Sequence, residues 1–386
     1  MIDDLKQRQR LAEFIVNFEP TETIRDLAPL RMDELPEIEA LPEPMPWPKE
    51  RGRSLAPRVI ALSNRKPTSS LPKADVVAVT WTVAEGFALG DVLTPGYRDV
   101  RGKKAPPKNT KPWYPYRPAN FTDYLRKLRK GAPARKADRL GSYCLTSIYN
   151  DNLGKNVKVL CFKSELHLNR DWTIVKRVSD RTVPVADLFV QIIDECQPKL
   201  VITVGTAGAT LSRTALGDVM ITRAAKFRLS KAFARAPFRD AKFTCKNLGS
   251  LTLKQLATLA PLLQQYAGYL PPKMLSRAPK IWFDGTRPGY SKFFPILTTD
   301  SFEFGTTPKG KGPTNYLGGQ GCGVEMGDAV LGMVAEYLKN PSGKPPWEFK
   351  LAKIESLESA MQAPPLWLVI RNASDPQIDA NLSKKD

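Results

Sequence analysis

The sequence predicts an α/β domain in which helices pack in layers against a β-sheet. From about residue 155 onward, short apolar runs of strand length alternate with stretches whose apolar residues have helical spacing. Leu200–Val204 is typical of the strands and Pro184–Glu195 of the helices. A chain of 386 residues is also long enough to bury one large core and still carry extensions. Strands alternating with helices are characteristic of layered α/β domains.

Each element is predicted from its own pattern, in chain order. The strands are short, mainly apolar runs, predicted at Ala74–Thr80, Val157–Phe162, Leu200–Val204, Val219–Arg223 and Leu366–Arg371. The helices repeat apolar residues every three or four positions, at about Ala84–Leu93, Pro184–Glu195, Leu251–Ala267 and Ala329–Leu338. A further short amphipathic helix is predicted at about 4–17. No internal repeat is visible.

The order of these elements predicts one domain with an extension and two insertions. Residues 1–74 form the extension, because the acidic stretch 35–48 is too rich in proline for a regular helix and favours an extended arm. Residues 75–386 form the α/β domain. It is interrupted by a basic insertion at 95–155 and by a second insertion at 225–295.

The positive charge of the chain is concentrated in one segment. The net charge is +19, and residues 101–140 hold 13 Lys and Arg against Asp123 and Asp138. Such a segment attracts nucleic acid, an anionic membrane surface or a phosphorylated ligand. Trp113, Tyr114 and Tyr116 would add stacking surfaces for a single strand. A solvated basic loop, or one neutralised by the acidic arm, is the alternative, and nucleic acid is not favoured because no known nucleic-acid-binding fold accompanies the segment.

Several protein classes are excluded by composition. No apolar run reaches the roughly 18–20 residues that cross a bilayer, so no membrane contact is expected. The charged amino terminus is unlike a secretory signal. The five cysteines are far apart and form no C-x-x-C pair. They indicate reduced thiols in a cytoplasmic protein without a structural zinc site, and no metal or cofactor is expected.

Four short blocks carry the most information about function. They are the Gly-rich loop predicted at Gly205–Thr210 after a strand, Gly217-Asp218-Val219, Val324-Glu325-Met326, and Ile370–Asp375. In this order they resemble the nucleoside phosphorylase/nucleosidase superfamily, whose members cleave the bond between ribose and a base. The resemblance covers about 75–386 and is strongest over 185–221. It implies a three-layer αβα sandwich with a mixed central sheet, a purine nucleoside or nucleotide as ligand, and a homo-oligomer.

The resemblance implies two catalytic residues. Asp375, in the pair Ser374-Asp375, would protonate the purine at N7, and Ser374 would contact the substrate. Glu85 would hold the attacking water. The alternatives are that Asp375 caps a helix that begins at Pro376, and that Glu85 is a solvated glutamate in a first helical turn. Segment 80–85 lacks the Gly and Arg that bind phosphate in the phosphorylase branch, which favours hydrolysis over phosphorolysis.

The same resemblance implies the residues around the substrate. Thr206, Ala207 and Gly208 would form the pocket wall, and Phe302 would stack on the base. Glu325, Met326 and Asp328 would surround the ribose, and Arg181 is a candidate ligand of a phosphate group. Gly327 stands where many members have a glutamate that holds the ribose hydroxyls. Either Glu325 or Asp328 takes that role, or sugar recognition is altered, or catalysis is lost, which leaves a non-catalytic nucleoside-binding protein as an alternative.

Overall fold

The structure is a computed structural model of the full chain. It describes residues 47, 49–50, 53–97, 113–150, 152–168, 182–211, 214–229, 238, 241–248, 279–283, 295–300, 317, 320–339, 351–353, 361 and 363–375. The helices predicted at 4–17 and at Leu251–Ala267 lie outside these residues.

The described residues form five helices and fifteen strands. The helices are α1 Val83–Leu93, α2 Phe121–Lys127, α3 Pro133–Ala137, α4 Pro184–Cys196 and α5 Asp328–Lys339. The first eight strands are β1 Lys49–Glu50, β2 Arg53–Ser54, β3 Arg58–Val59, β4 Val76–Thr80, β5 Tyr114–Tyr116, β6 Gly141–Asn150, β7 Lys155–Ser164 and β8 Leu200–Ala209. The others are β9 Val219–Thr222, β10 Ala224–Phe227, β11 Lys242–Thr244, β12 Ile281–Phe283, β13 Ile296–Thr298, β14 Gly323–Glu325 and β15 Leu366–Asp375.

Thirteen of the described strands belong to one mixed sheet. Its main path runs β11-β10-β13-β14-β8-β4-β7-β6-β3, while β15 pairs with β8 and β9, β12 with β9, and β5 with β6. The centre is parallel, because β4 pairs in that sense with β7 and β8, and β15 with β8. Strand β6 is antiparallel to β7 over ten residues, so the sheet is mixed, as predicted.

Helices cover both faces of this sheet. On β4, Val76 and Ala78 pack with Leu89 of α1 in a small apolar cluster. Val77 and Val79 point to the opposite face and belong to the large core that includes buried residues of α4 and α5. Since successive side chains of a strand point to opposite faces, this split separates two helical layers. The three-layer α/β prediction is confirmed.

The predicted strands and helices within the described residues are confirmed, with one correction. Gly205–Thr210 was predicted as a Gly-rich loop, but β8 continues through Gly205 to Ala209. The reason is pairing on both sides: β15 runs beside it from Leu366↔Leu200 to Asp375↔Gly208, and β14 pairs with its last residues. Ladder hydrogen bonds from two neighbours outweigh the low strand preference of glycine.

Parts of the predicted extension and basic insertion join the main sheet. Strand β3 pairs with β6, and β6 itself lies within 95–155. Tyr116 is fully buried and donates from its hydroxyl to Glu195 (2.8 Å), and the indole Nε1 of Trp113 donates to Thr94 Oγ1 (3.1 Å). A stacking surface that includes Tyr116 is therefore wrong. No helix in the described part of the chain is long and apolar enough to cross a membrane.

Candidate active site

The site lies where three neighbouring parallel strands end. Strands β4 and β15 both run parallel to β8, one on each side of it. Arg371 of β15 lies opposite Gly205 of β8 in the register of the sheet. Helix α1 begins three residues after β4 ends and carries Glu85 in its first turn. The carboxyl ends of parallel strands are where open α/β sheets usually bind ligands.

Glu85 is held in place by the start of its own helix. The sequence Thr82-x-x-Glu85 forms a capping box, in which Thr82 Oγ1 accepts from the Glu85 backbone N–H (3.1 Å). Glu85 Oε2 in turn accepts from the Thr82 backbone N–H (2.9 Å), the Trp81 backbone N–H (3.0 Å) and the Thr80 hydroxyl (2.9 Å). The local sequence therefore fixes the orientation of this carboxylate.

The other oxygen of Glu85 faces strand β8. Oε1 accepts from the backbone N–H of Thr206 (2.7 Å) and from its hydroxyl (2.9 Å), and lies 3.9 Å from Arg371 Nη1. Glu85 is 8% exposed, so the alternative of a solvated first-turn glutamate is wrong. Burial pushes the pKa of Glu85 upward, but the Arg371 charge and the N–H donors of Thr206, Thr82 and Trp81 outweigh it. The net lowering of the pKa keeps this carboxylate ionised at neutral pH.

Gly205 allows this approach of carboxylate and guanidinium. A Cβ at position 205 would collide with Glu85 Oε1 and would lie 2.5 Å from Arg371 Nη1. No side chain fits there unless both groups move. The glycine therefore keeps the space in which the two charges meet.

Arg371 is the centre of the site, and sequence reasoning assigned it no role. Its side chain is buried and binds Asp328 through two of its three nitrogens, with Nη2 2.6 Å from Oδ1 and Nε 2.9 Å from Oδ2. Nη2 also lies 3.4 Å from Glu325 Oε2. Burial by itself would lower the pKa of Arg371, but the nearby carboxylates raise it by a larger amount. The pKa of Arg371 therefore lies above its usual range, and the guanidinium stays charged. The signal in the sequence was a single cation within the apolar strand Leu366–Ala373, a position where charged residues are rare unless paired.

Glu325 and Asp328 complete a buried charge cluster with Glu85 and Arg371. Glu325 Oε1 accepts from the Thr298 hydroxyl and from the backbone N–H of Asp328 (2.9 Å). The Thr298 hydroxyl oxygen also accepts from the Ala329 backbone N–H (2.8 Å), which ties the start of α5 to β13. Burial, and then the nearby charge of Asp328, raise the pKa of Glu325 to about 8. The pKa of Glu325 is thus raised while that of Glu85 is lowered, an arrangement that separates the roles of two carboxyl groups.

Trp81 closes one side of the cluster. The Arg371 guanidinium lies over its ring, 4.6 Å from the ring centre. The ring also contacts Gly327, where a Cβ would lie 2.5 Å from Trp81 Cζ2. Met326 is half-buried beside it, and its carbonyl accepts from the Leu168 backbone N–H (2.9 Å). The Trp81 indole thus occupies the space that a glutamate side chain at position 327 would need.

Asp375 is the last residue of β15. A bulge after Ala373 places Asp375 opposite Gly208, so its backbone lies beside the predicted pocket wall Thr206–Gly208. The Gly217-Asp218 block fixes this strand end, because Gly217 N–H donates to the Ala373 carbonyl (2.8 Å) and Ala373 N–H to the Asp218 carbonyl (2.8 Å). Gly217 has a positive φ of 81°, which favours glycine.

Of the other residues predicted for the site, some lie near it and some lie outside the described residues. Ala207 is buried in β8, and Ser374 is exposed next to Asp375. Phe302 and Arg181 lie outside the described residues, as does Pro376 with the helix that Asp375 was alternatively predicted to cap.

His167 is not suited to act as an acid. Both of its ring nitrogens are buried, and this burial, followed by the charge of Lys163, lowers its pKa to about 3. Its imidazole is neutral at pH 7, so the carboxyl groups are the acids and bases available in the described part of the site.

Among known proteins, this chain is similar to solved structures only. The sequence matches no protein-family model and no curated protein. Among solved structures, a 5′-methylthioadenosine/S-adenosylhomocysteine nucleosidase from Neisseria meningitidis, in complex with methylthio-immucillin-A, is 13% identical with a TM-score of 0.39, and the match covers 79% of this chain and 87% of that one. The S-adenosylhomocysteine nucleosidase of Streptococcus pyogenes is 13% identical (TM-score 0.38, coverage 80% and 87%). Futalosine hydrolase of Helicobacter pylori is 11% identical (TM-score 0.38, coverage 80% and 87%).

These matches are nucleosidases and a hydrolase by name, as in the superfamily that the four sequence blocks resemble. Their TM-scores are below 0.40 and their identities are 11–13%, so they establish no activity. The case for an activity rests on the chemistry of the site.

Proposed function

We propose that this protein hydrolyses the N-glycosidic bond of a purine nucleoside or nucleotide. Cleavage of this bond gives the ribose an oxocarbenium-like positive charge, and it requires an acid for the leaving base and an aligned water. In the proposed reaction Asp375 protonates the base, Glu85 positions the water, and Met326 flanks the ribose. The wall of the pocket is the end of β8, Thr206–Gly208.

One observation carries this proposal: an ionised Glu85, in the first helical turn after β4, and Arg371 of β15 meet 3.9 Å apart beside β8, which lies between these two strands. Arg371 lies four residues before Asp375 on β15. Because of the bulge after Ala373, these four residues run beside three residues of β8, from Gly205 to Gly208, and so span about 10 Å, which is the scale of a nucleoside. A water held by the carboxylate at one end and an acid at the other end of this strand segment would lie on opposite sides of a bound sugar and base.

The charge balance also supports the proposal. Glu85, Asp328 and Arg371 together carry a net charge of −1 when Glu325 is neutral. A buried negative charge stabilises a developing cation far more than it would in water. Arg371 keeps Glu85 ionised through a lowered pKa without neutralising the cluster. These groups therefore favour a positively charged transition state.

The water must compete with the Thr206 hydroxyl for Glu85. An ionised carboxylate has about four lone-pair sites, and those of Glu85 already accept from three backbone N–H groups and two hydroxyls. Rotation of the Thr206 side chain about χ1 would release one oxygen site without breaking a backbone hydrogen bond. In the proposed reaction the attacking water takes that site.

A non-catalytic nucleoside-binding protein is the second candidate. The full set of donors on Glu85 and the absence of a carboxylate at Gly327 favour it. In this candidate the fold binds a nucleoside and does not turn it over.

The test is an incubation of the purified protein with adenosine, methylthioadenosine, inosine and ATP, followed by chromatography of the free base. Hydrolysis is expected without added phosphate, whereas a phosphorylase would require it. Asp375→Asn and Glu85→Gln should each lower the rate by about 10²- to 10⁴-fold, the usual contribution of a positioned acid or base. Asp123→Asn, at an exposed pair with Arg126, is the control and should leave the rate unchanged.

Three outcomes separate the candidates. Base release that depends on phosphate would replace hydrolysis with phosphorolysis. Binding of a nucleoside by calorimetry without any base release would establish the non-catalytic candidate. Release of base by Glu85→Gln at the wild-type rate would remove Glu85 from the reaction.

A further inference from the structure

The described part of the basic insertion contains two helices that are fixed to the core. The side chains that α2, α3 and the turn between them bury in the main core are Phe121, Tyr124, Leu128 and Ala134. The Arg135 guanidinium joins the two helices, because it donates to the carbonyls of Leu128 (2.8 Å) and Leu125 near the end of α2. The cations of this segment are therefore carried on a folded surface.

Residues 129–139, which we call the basic surface, comprise the turn after α2, helix α3 and the link to β6. They hold five cations and one acid, which gives a net charge of +4: Arg129, Lys130, Arg135, Lys136 and Arg139 against Asp138. All of these except Arg139 are exposed, and Asp138 pairs with Arg117 at 3.3 Å. Exposed positive charge of this density attracts anions, and guanidinium groups suit phosphate in particular.

The basic surface lies at the edge of the sheet where the candidate site is. Strand β7 runs parallel to β4, and Thr80 lies opposite Lys163 where these strands end. Strand β6 begins with Gly141, opposite Ser164 at the end of β7. Since the basic surface leads directly into β6, it ends two strands away from β4, which is about 10 Å. Glu85 follows β4 at the same edge.

A chain of contacts joins the basic surface to the helix that carries Glu85. Arg139 Nε lies 3.3 Å from Glu165 Oε1, and Lys163 Nζ lies 2.7 Å from Glu165 Oε2. The stem of Lys163 packs against α1, because a Cβ built on Gly86 would lie 2.9 Å from Lys163 Cγ. The basic surface is therefore connected to α1 through the end of β7.

The charges at this edge also act on one side chain, His167. Burial is the main cause of its lowered pKa, Lys163 lowers the pKa further, and Glu85 and Glu165 oppose the change. Electrostatic effects weaken with distance, so the carboxylates of Glu85 and Glu165 both lie near this imidazole. The site and the ion pairs beside it form one continuous region.

We infer that the substrate of this site carries phosphate groups and that the basic surface binds them. The inference rests on the proposed function, because it assumes a nucleoside in the candidate site. Glu85 and Asp328 outweigh the charge of Arg371, so the site itself repels phosphate, and the nearby exposed cations attract it. A nucleoside polyphosphate and a single-stranded oligonucleotide both present phosphates joined to a nucleoside.

The experiment measures base release from adenosine, AMP, ATP and a short oligoadenylate. The test variant is Lys130→Glu/Lys136→Glu, which reverses two exposed charges of the basic surface. The matched control is Lys199→Glu/Lys246→Glu, with the same change of charge at the other edge of the sheet. There the Lys199 carbonyl accepts from Leu366 N–H (2.9 Å) at the start of β15, and Lys246 lines a small cavity with Leu366. Both control lysines are exposed.

Wild-type protein should show a kcat/KM at least about tenfold higher for a phosphorylated substrate than for adenosine, carried by a lower KM. The test variant should reduce this preference at least about fivefold through KM, the scale expected when two exposed charges near an anion are reversed. The control should keep the preference within about twofold. Added salt should weaken the preference, because exposed charges are screened.

The substrates separate the two sources of phosphate, and either source supports the inference. A preference that rises from AMP to ATP identifies a nucleoside polyphosphate. A preference for the oligoadenylate that ATP does not share identifies a polynucleotide. Equal kcat/KM for adenosine and all three phosphorylated compounds would overturn the inference. A preference that the test variant keeps, or that the control loses equally, would also overturn it, because the phosphates are then not held by the basic surface.

Inorganic triphosphate tests the basic surface without any reaction. Calorimetry should show that it binds wild-type protein and the control, and binds the test variant at least about fivefold more weakly. If no compound releases a base, the proposed reaction is rejected and this measurement decides the inference. If adenosine releases its base and triphosphate does not bind, the inference alone fails. Should the test variant not fold in a thermal melt, Lys130→Gln/Lys136→Gln replaces it, and unchanged triphosphate binding by that variant overturns the inference.

Discussion

Replacing Arg371 by methionine tests whether the buried charge cluster is a working unit. The substitution keeps an apolar side chain of similar length and removes the guanidinium. Asp328 then loses the partner of both its oxygens, at 2.6 and 2.9 Å, and Glu325 and Glu85 lose their cation. Removing one partner of a buried ion pair costs about 3–5 kcal/mol because the other charge is left uncompensated. We expect a loss of that size in the free energy of unfolding.

The assay is denaturant unfolding followed by circular dichroism, with Arg126→Met as the matched control. Arg126 pairs with Asp123 at 3.2 Å, but its side chain is 75% exposed, so its loss should cost less than about 1 kcal/mol. Adding Asp328→Asn to Arg371→Met should recover part of the loss, since it removes the unpaired charge. In the proposed function the Arg371→Met protein should also hydrolyse nucleosides at least about 10²-fold more slowly.

Two results would refute this reasoning. If Arg371→Met costs no more than Arg126→Met, the cluster does not stabilise the fold as its geometry indicates. If Asp328→Asn adds a further loss instead of a recovery, the two residues do not act as a charge pair.

Two further predictions concern the same cluster. The pKa of Glu325 is raised by burial to about 8, so the folded state holds a proton that the unfolded state has lost above about pH 4.5. The free energy of unfolding should therefore fall as pH rises from about 4.5 to 8, by up to about 1.4 kcal/mol per pH unit. Glu325→Gln should flatten this slope. An unchanged slope in the variant would contradict the raised pKa of Glu325. Gly205→Ala should lower the melting temperature by several degrees more than Gly208→Ala, since a Cβ at 205 meets Glu85 and Arg371 whereas one at 208 comes within 3.1 Å of a single Val324 methyl. Equal melting temperatures of the two variants would show that the cluster can move aside.

The local pattern of the chain was enough to predict the central elements. Strand β4, helices α1, α4 and α5, and the first part of β8 follow from apolar periodicity that each segment carries by itself. The orientation of Glu85 is also local, because the capping box depends on residues three apart. These features need no information from distant parts of the chain.

The tertiary structure decided the length of β8 and the grouping of the charges. Strand β8 extends through Gly205 because β14 and β15, more than 100 residues away, pair with it. Arg371 and Glu85 are brought together by the parallel pairing of β4 and β15 with β8, and Asp328 joins them because β14 pairs antiparallel with the end of β8. Neither the spacing of these residues in the sequence nor their types predict the contact. Trp81 and Gly327 share one space although 245 residues separate them in the sequence. A sequence pattern reports what a segment prefers alone, whereas strand register and side-chain volume are set by which segments meet.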